Sequence, residues 1–299
     1  SYDVGKRYEW LLGNGLGGYA SSTIIGANTR KYHGLLVAAV EGRRWLLLPK
    51  VEERVITSGG GYDLSTNLYP GAVHPQGFAN HTLFRFSYVT AFHYALEEAF
   101  IEKRVAPVHG QNAVVISYRI FNAGEPFELR LRPFVNCRDL HSNLHSGAVS
   151  WGFQGEAGER VLAIRANFEG APPLIIGSDR GVYQGEDFWI RDMIYEEEGA
   201  RGYDDREDHF SPGEFRFTVG KGTEELNLLA VGGDPKGEVF DPLYKGINDL
   251  VRLEIERRKA LLPKEEHPDP IQALLLAADA FLMDGPQGKG IVAGYPWFG

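Results

Sequence analysis

From about residue 34 to residue 232, apolar side chains recur at every second position, a spacing that suits half-buried strands and little else. Phe127, Leu129 and Leu131 fall on one face while Glu128, Arg130 and Arg132 fall on the other. Val114, Ile116, Tyr118 and Ile120 repeat the pattern just upstream. Asn122-Ala123-Gly124-Glu125-Pro126 lies between the two runs and reads as a hairpin connection. Phe84/Phe86/Tyr88 and Phe215/Phe217/Val219 alternate likewise, and 35–40, 45–48, 174–176 and 226–231 are apolar runs. Helix-period segments are nearly missing over this span. With 17 Phe, 14 Tyr and 5 Trp for strands and 37 Gly and 16 Pro for turns, the expectation is a mainly β chain forming a large antiparallel sandwich.

The texture changes after about residue 245. Ile247, Leu250, Val251 and Ile255 share a helical face, Arg257-Arg258-Lys259 place positive charge in its last turn, and Pro263 stops it. A second helix is expected to start at Asp269-Pro270, to bury Ile271, Leu274, Leu275, Ala278 and Leu282, and to end at Gly285-Pro286. The predicted division is therefore a sandwich over 1–245, a helical linker over 246–285, and the start of a further domain over 286–299. The aromatic tail Tyr295-Pro296-Trp297-Phe298 wants a partner surface, so the natural protein is expected to continue past Gly299.

Charge narrows the partners. A net charge of −9 without a Lys/Arg-rich run disfavours nucleic acid and anionic membrane, and a neutral substrate fits better. One cysteine, Cys137, allows no internal disulfide, and no apolar stretch reaches the length of a bilayer span, so the cytoplasm is the expected location.

Gly13-Asn14-Gly15-Leu16-Gly17-Gly18 satisfies the G-x-G-x-x-G pattern of dinucleotide sites. Residues 19–26 immediately after it are rich in β-branched side chains and only weakly helical, so a tight glycine-rich turn is the better reading and no cofactor is expected. His141 and His145 stand four apart near Asp139, but no well-spaced third and fourth ligands accompany them. Loop histidines with local hydrogen bonds are expected, not a metal site. The acidic runs Glu196-Glu197-Glu198 and Asp204-Asp205 read as a solvated loop. No pair of acids stands out as a glycosidase couple, and no catalytic residue is assigned.

Asn28-Thr29-Arg30-Lys31-Tyr32-His33-Gly34 concentrates planar, hydrogen-bonding groups just ahead of an apolar strand. Together with Trp10-Leu11-Leu12-Gly13-Asn14-Gly15-Leu16-Gly17-Gly18-Tyr19-Ala20, it closely resembles the N-terminal domain of prokaryotic-type glycogen debranching enzymes, the amylo-α-1,6-glucosidases. The resemblance runs on through Pro49-Lys50-Val51-Glu52-Glu53, His74-Pro75-Gln76-Gly77 and Glu102-Lys103-Arg104-Val105. It continues in Arg132-Pro133-Phe134-Val135-Asn136-Cys137-Arg138-Asp139-Leu140-His141, in Arg206-Glu207-Asp208-His209-Phe210-Ser211-Pro212-Gly213, and in Ile291-Val292-Ala293-Gly294-Tyr295-Pro296-Trp297-Phe298. Cys137, where an aromatic is common, and Ser22, where glycine is common, depart from the pattern.

The resemblance implies a two-part enzyme: a β-sandwich of the kind that precedes glucoamylase-like domains, then an (α/α)-barrel that hydrolyses α-1,6 branches with an acidic pair. The sequence stops at the lead into that barrel. Arg30, Tyr32, His33, Arg138, Asp139 and His141 match its motifs and are assigned here as residues facing an α-glucan, on one polar side turned to the barrel. The bland alternative is that Arg and Asp pair and brace their loops. A stand-alone carbohydrate-binding or assembly module without catalysis is the rival reading of the chain.

Overall fold

The computed structural model describes residues 1–263, 269–285 and 288–295. Antiparallel strands dominate, in three main sheets that share one core. The largest is eight-stranded, in the order Phe153–Ala157, Val161–Ala166, Leu174–Ser178, Gly222–Gly232, Ala113–Asn122, Ala99–Pro107, Thr90–Ala95 and His81–Phe86. Facing it is a five-stranded second sheet of Val182–Ile194, Arg206–Val219, Phe127–Phe134, Lys50–Thr57 and Gly60–Asp63. An N-terminal sheet of Glu9–Gly13, Tyr19–Thr23, Gly34–Val40, Arg43–Leu48 and the short Arg138–Asp139 extends the same layer.

Alternation sorts these strands as expected. Phe127, Leu129 and Leu131 are buried with Phe215, Phe217 and Val219, while Arg130 and Arg132 stay half-exposed on the outside. Val114, Ile116, Tyr118 and Ile120 meet them from the large sheet. One polar link crosses this interior: Glu53 of the second sheet pairs with Lys103 and accepts from the Tyr118 hydroxyl at 2.8 Å and from Ser65 Oγ at 2.5 Å. A buried carboxylate is tolerated because both of its oxygens are answered.

The large sheet is buried on its other face too. Ala113, Val115, Leu229 and Val231 pack under Phe240, Ile247, Leu250 and Val251. These belong to the helix Phe240–Lys245, a 3₁₀ turn and the helix Leu250–Lys259. That explains the unbroken apolar run at 113–116, since a strand covered on both faces loses its alternation.

Two expectations fail. The 122–126 segment is not a hairpin, because Ala113–Asn122 and Phe127–Phe134 lie in different sheets and the chain crosses the sandwich there. Asn122 still makes the local turn, accepting from Gly124 N at 3.0 Å and donating to Glu125 O at 3.0 Å, so turn chemistry alone does not say where the next strand goes. The last helix, Asp269–Asp279, turns its other side inward. Leu276 and Asp279 are buried, whereas Ile271, Leu274, Leu275, Ala278 and Leu282 are exposed, Leu274 by 70%. Asp279 takes Arg257 Nη2 at 2.6 Å and Arg258 Nη1 at 3.2 Å, and Arg258 Nη2 reaches Leu276 O at 2.9 Å. The cations expected to serve the helix dipole are thus spent on orienting its neighbour. The helix also ends earlier than expected. Leu282–Gly285 is a strand paired with Gly288–Ile291, and Pro286 lies outside the described residues.

Candidate functional site

On the outer face of the N-terminal sheet, Tyr19, Val37 and Leu46 are capped by Tyr32 and Leu140. This small apolar floor carries the two motif-bearing segments, 28–33 and 138–141. Asn28 anchors the first, its Oδ1 accepting from Ser22 Oγ at 2.8 Å and its Nδ2 donating to Pro49 O at 3.1 Å. Thr29 N donates to His33 Nδ1 at 3.1 Å, which places the imidazole proton on Nε2, 3.5 Å from Glu9 Oε2. Arg30 Nε reaches the other Glu9 oxygen at 2.8 Å. Burial works to raise the Glu9 carboxyl, but His33 and Arg30 outweigh it and hold it below the ordinary range.

Arg138 pins the second segment to the first. Its guanidinium is buried, the residue only 4% exposed, and grips Glu207 in a two-point pair, Nη2 to Oε2 at 2.8 Å. Nη2 also donates to Lys31 O at 2.6 Å, and Nη1 to Leu140 O at 3.1 Å. Glu207, fully buried, further accepts from Leu144 N at 2.8 Å and from the Tyr195 hydroxyl. Burial opposes the Arg138 charge, and Glu207 more than restores it. Lys31 Nζ donates to His141 O at 2.7 Å, and the Tyr32 hydroxyl lies 3.3 Å from His141 Nδ1. Asp139 Oδ1 accepts His141 N at 2.9 Å.

The six residues named from sequence therefore sit in one neighbourhood, in two tiers. His33 and Arg138 are buried and Arg30 is ion-paired with Glu9 and Glu197. Tyr32 is buried in the apolar floor with its hydroxyl towards His141, and Asp139 and His141 are exposed. Both of the latter line a cleft of about 720 Å³ together with Leu16, Gly17, Arg43, Arg44, Met283 and Ile291. Arg44 went unread in the sequence, whereas Tyr295 was expected to seek a partner surface. Arg44 Nε donates to Gly17 O at 2.7 Å, and its guanidinium covers the Tyr295 ring at 5.1 Å. Tyr295 in turn meets Tyr19 edge-on at 5.1 Å. Nothing in the local sequence marks an arginine beside a tight turn as a wall of a cleft.

The glycine cluster is a turn between Glu9–Gly13 and Tyr19–Thr23, and no helix opens from it. Asn14 Oδ1 takes the Leu16 and Gly18 amides at 2.9 Å each, so two of the turn's amides are answered within the turn. The glycines answer a packing need instead. A Cβ on Gly13 would stand 2.6 Å from Ala280 O, and Gly15 O accepts Asp284 N at 2.8 Å, so the C-terminal segment is seated directly on this turn.

The acidic run 196–198 is not the solvated loop expected. Glu198 is fully buried and paired with Arg201, and Glu196 takes the Tyr2 hydroxyl and Lys6 Nζ at 2.8 Å each. A four-residue helical turn, Glu196–Gly199, folds these acids onto basic and phenolic partners. His145 Nε2 pairs with Asp204 at 2.6 Å, away from His141. Among the described residues no group of three or more His, Cys, Asp or Glu is placed to hold a metal ion, and no helix is long and apolar enough to cross a membrane.

Fold and cleft together define a β-sandwich domain that presents an open, mixed polar and apolar face on the outside of one sheet. The chain belongs to the family described as glycogen debranching enzyme N terminal, which matches residues 8–225. Among solved structures it is similar to a bacterial glucoamylase complexed with acarbose, at 10% identity and a TM-score of 0.41 over 83% of this chain and 34% of that one. A mutant of the heparan sulfate lyase HepC from Pedobacter heparinus aligns at 10% identity and a TM-score of 0.34, over 51% of this chain and 21% of that one. A polysaccharide lyase aligns at 10% identity and a TM-score of 0.33, over 75% and 32%. The chain spans about a third of the length of the glucoamylase. No curated protein sequence matches it.

Proposed function

We propose that this chain is the glucan-facing N-terminal domain of a cytoplasmic debranching enzyme that hydrolyses α-1,6-glucosidic branches, with the hydrolysing carboxylates in a following (α/α)-barrel. Family membership supports the class of enzyme. The observation that supports the assignment of the face is the meeting of 28–33 and 138–141, far apart in sequence, behind a cleft whose lining includes Asp139 and His141. In this reading Asp139 and His141 bond glucan hydroxyls, Arg44 supplies a flat wall braced from behind by Tyr295, and Tyr32 orients the His141 ring. Arg138, His33 and Arg30 act one layer below, as positioning residues that hold the two segments in register. The outward apolar side of Asp269–Asp279 together with Ile291, 77% exposed, supports a domain packed over this end.

The test is Asp139→Asn and His141→Ala in the full-length enzyme on a branched limit dextrin. The expected outcome is a KM raised about tenfold, the loss of roughly one hydrogen bond to a charged group, with Tm nearly unchanged. Wild-type turnover from both variants would refute the assignment.

A further inference from the structure

A second polar pocket, of about 230 Å³, lies on the outer face of the second sheet under the ribbon formed by Thr66–Tyr69 and Ala72–Gln76. Its floor is two cross-strand rows. Arg54, Arg130 and Arg216 stand directly opposite one another on three neighbouring strands. In the next row Glu52 lies opposite Arg132, which donates to Glu214 Oε2 at 2.8 Å. Like charges aligned across strands work against the sheet, so a row of three guanidiniums is not what stability alone would select. Arg216 lies outside the pocket, 2.8 Å from Glu214; of the groups that line it, Arg54, Arg130 and Arg132 face Glu52, Asp63 and Glu214, three cations to three carboxylates, with Asp63 3.5 Å from Arg54 and Glu214 3.8 Å from Arg130.

Two features point to a ligand rather than a finished ion-pair ladder. Arg132 lines the pocket, and its Nε, screened from solvent, has no hydrogen-bond partner among the described residues, so the pair with Glu214 uses only part of its donor set. Glu52 has one oxygen held by Asn67 Nδ2 at 2.8 Å, and burial pushes its carboxyl above the ordinary range. Balanced charge gives an anion no net attraction. Alternating guanidiniums and carboxylates instead offer donors and acceptors side by side, the pattern that vicinal hydroxyls of a neutral sugar satisfy. Tyr69 supplies a ring on the ribbon side, and the volume is below that of a drug-sized pocket, which restricts the occupant to about one pyranose ring.

We propose that this pocket is a second glucan subsite, taking a single neutral glucosyl unit between Arg132, Glu52 and Tyr69. The proposal rests on the glucan-handling reading above and deepens it. The test is titration of the protein with maltose by ligand-detected NMR. The protein is compared with an Asp139→Asn/His141→Ala variant and with the same variant carrying Tyr69→Ala or Arg132→Met. Binding that persists in the first variant and weakens about tenfold on adding either pocket substitution supports the subsite. Should Arg132→Met fail to fold, Tyr69→Ala decides, since that side chain belongs to none of the ion pairs described. Binding abolished by the cleft substitutions alone would overturn the subsite and leave the cleft reading intact. Binding indifferent to all of them would sink both. Inorganic phosphate displacing maltose from the pocket would overturn the choice of a neutral ligand.

Discussion

Replacing Glu207 by glutamine keeps the side chain's volume and removes its charge from beneath the cleft. Glu207 accepts from Arg138, Leu144 N and Tyr195, and both it and Arg138 are buried. A glutamine amide turns donors towards a guanidinium that has no water to fall back on. Breaking one side of such a pair costs about 3–5 kcal/mol, against the roughly 0–1 kcal/mol of a surface pair. At a few degrees of Tm per kcal/mol for a chain of this size, the shift is on the order of 10 °C downward, read by scanning calorimetry. Arg138→Met/Glu207→Leu should recover part of that loss, because no buried charge is then left alone. A Glu207→Gln protein melting within a degree of wild type would refute the reasoning, since Arg138 would then not depend on its partner.

Other outcomes rest on the same geometry. Burial pushes His209 down to about 4 from an ordinary 6.5, so the unfolded chain takes up the proton first as the pH falls. Its contribution, up to roughly 3 kcal/mol, is intact above about pH 6.5 and lost towards pH 4. Urea midpoints of His209→Gln should therefore fall less steeply across that window than wild type, and equal slopes would contradict this. Gly13→Ala sets a Cβ 2.6 Å from Ala280 O, so limited proteolysis should cut 280–295 faster while the sandwich stays intact. The chain by itself should release no glucose from a branched limit dextrin, as a reducing-sugar assay on rigorously purified protein would show; turnover there would place the active site within these residues.

How far residues disclose structure depended on how local their physics was. The strand faces at 127–132 and 215–219 were legible because alternation is fixed by the pleat. The glycine turn was legible because nothing helical comes after Gly18. The sheet partner of Phe127–Phe134 was not, since Asn122 closes the same turn whether the chain returns or crosses over. The inward side of Asp269–Asp279 was hidden because Leu274, Leu275 and Leu276 are consecutive, and Asp279, a residue that composition places outside, chose between them. Glu198 misled for a similar reason: its burial rests on Arg201 and on packing that an acidic run does not announce. The pairing of 28–33 with 138–141 was reached through a family likeness, whereas nothing local marks Glu207 as the buried partner of Arg138.

The placement of Gly222–Gly232 has a consequence for how the chain is made. This strand fills the gap between Leu174–Ser178 and Ala113–Asn122, so the large sheet has no continuous centre until it arrives. A ribosome adds residues at about 5–20 per second, and roughly a hundred separate the two partners, which leaves an interval on the order of 5–20 s. Throughout it, Ala113–Asn122 has Ala99–Pro107 along one edge and nothing along the other, and for most of it Val114, Ile116, Tyr118 and Ile120 lack the Phe215, Phe217 and Val219 that complete their cover from the second sheet. An open edge beside bare apolar side chains is a template for wrong pairing between nascent chains. Yield in a cell will therefore be governed by how well that edge is shielded during elongation, and fragments terminating before residue 222 will collect as aggregates however stable the finished sandwich is.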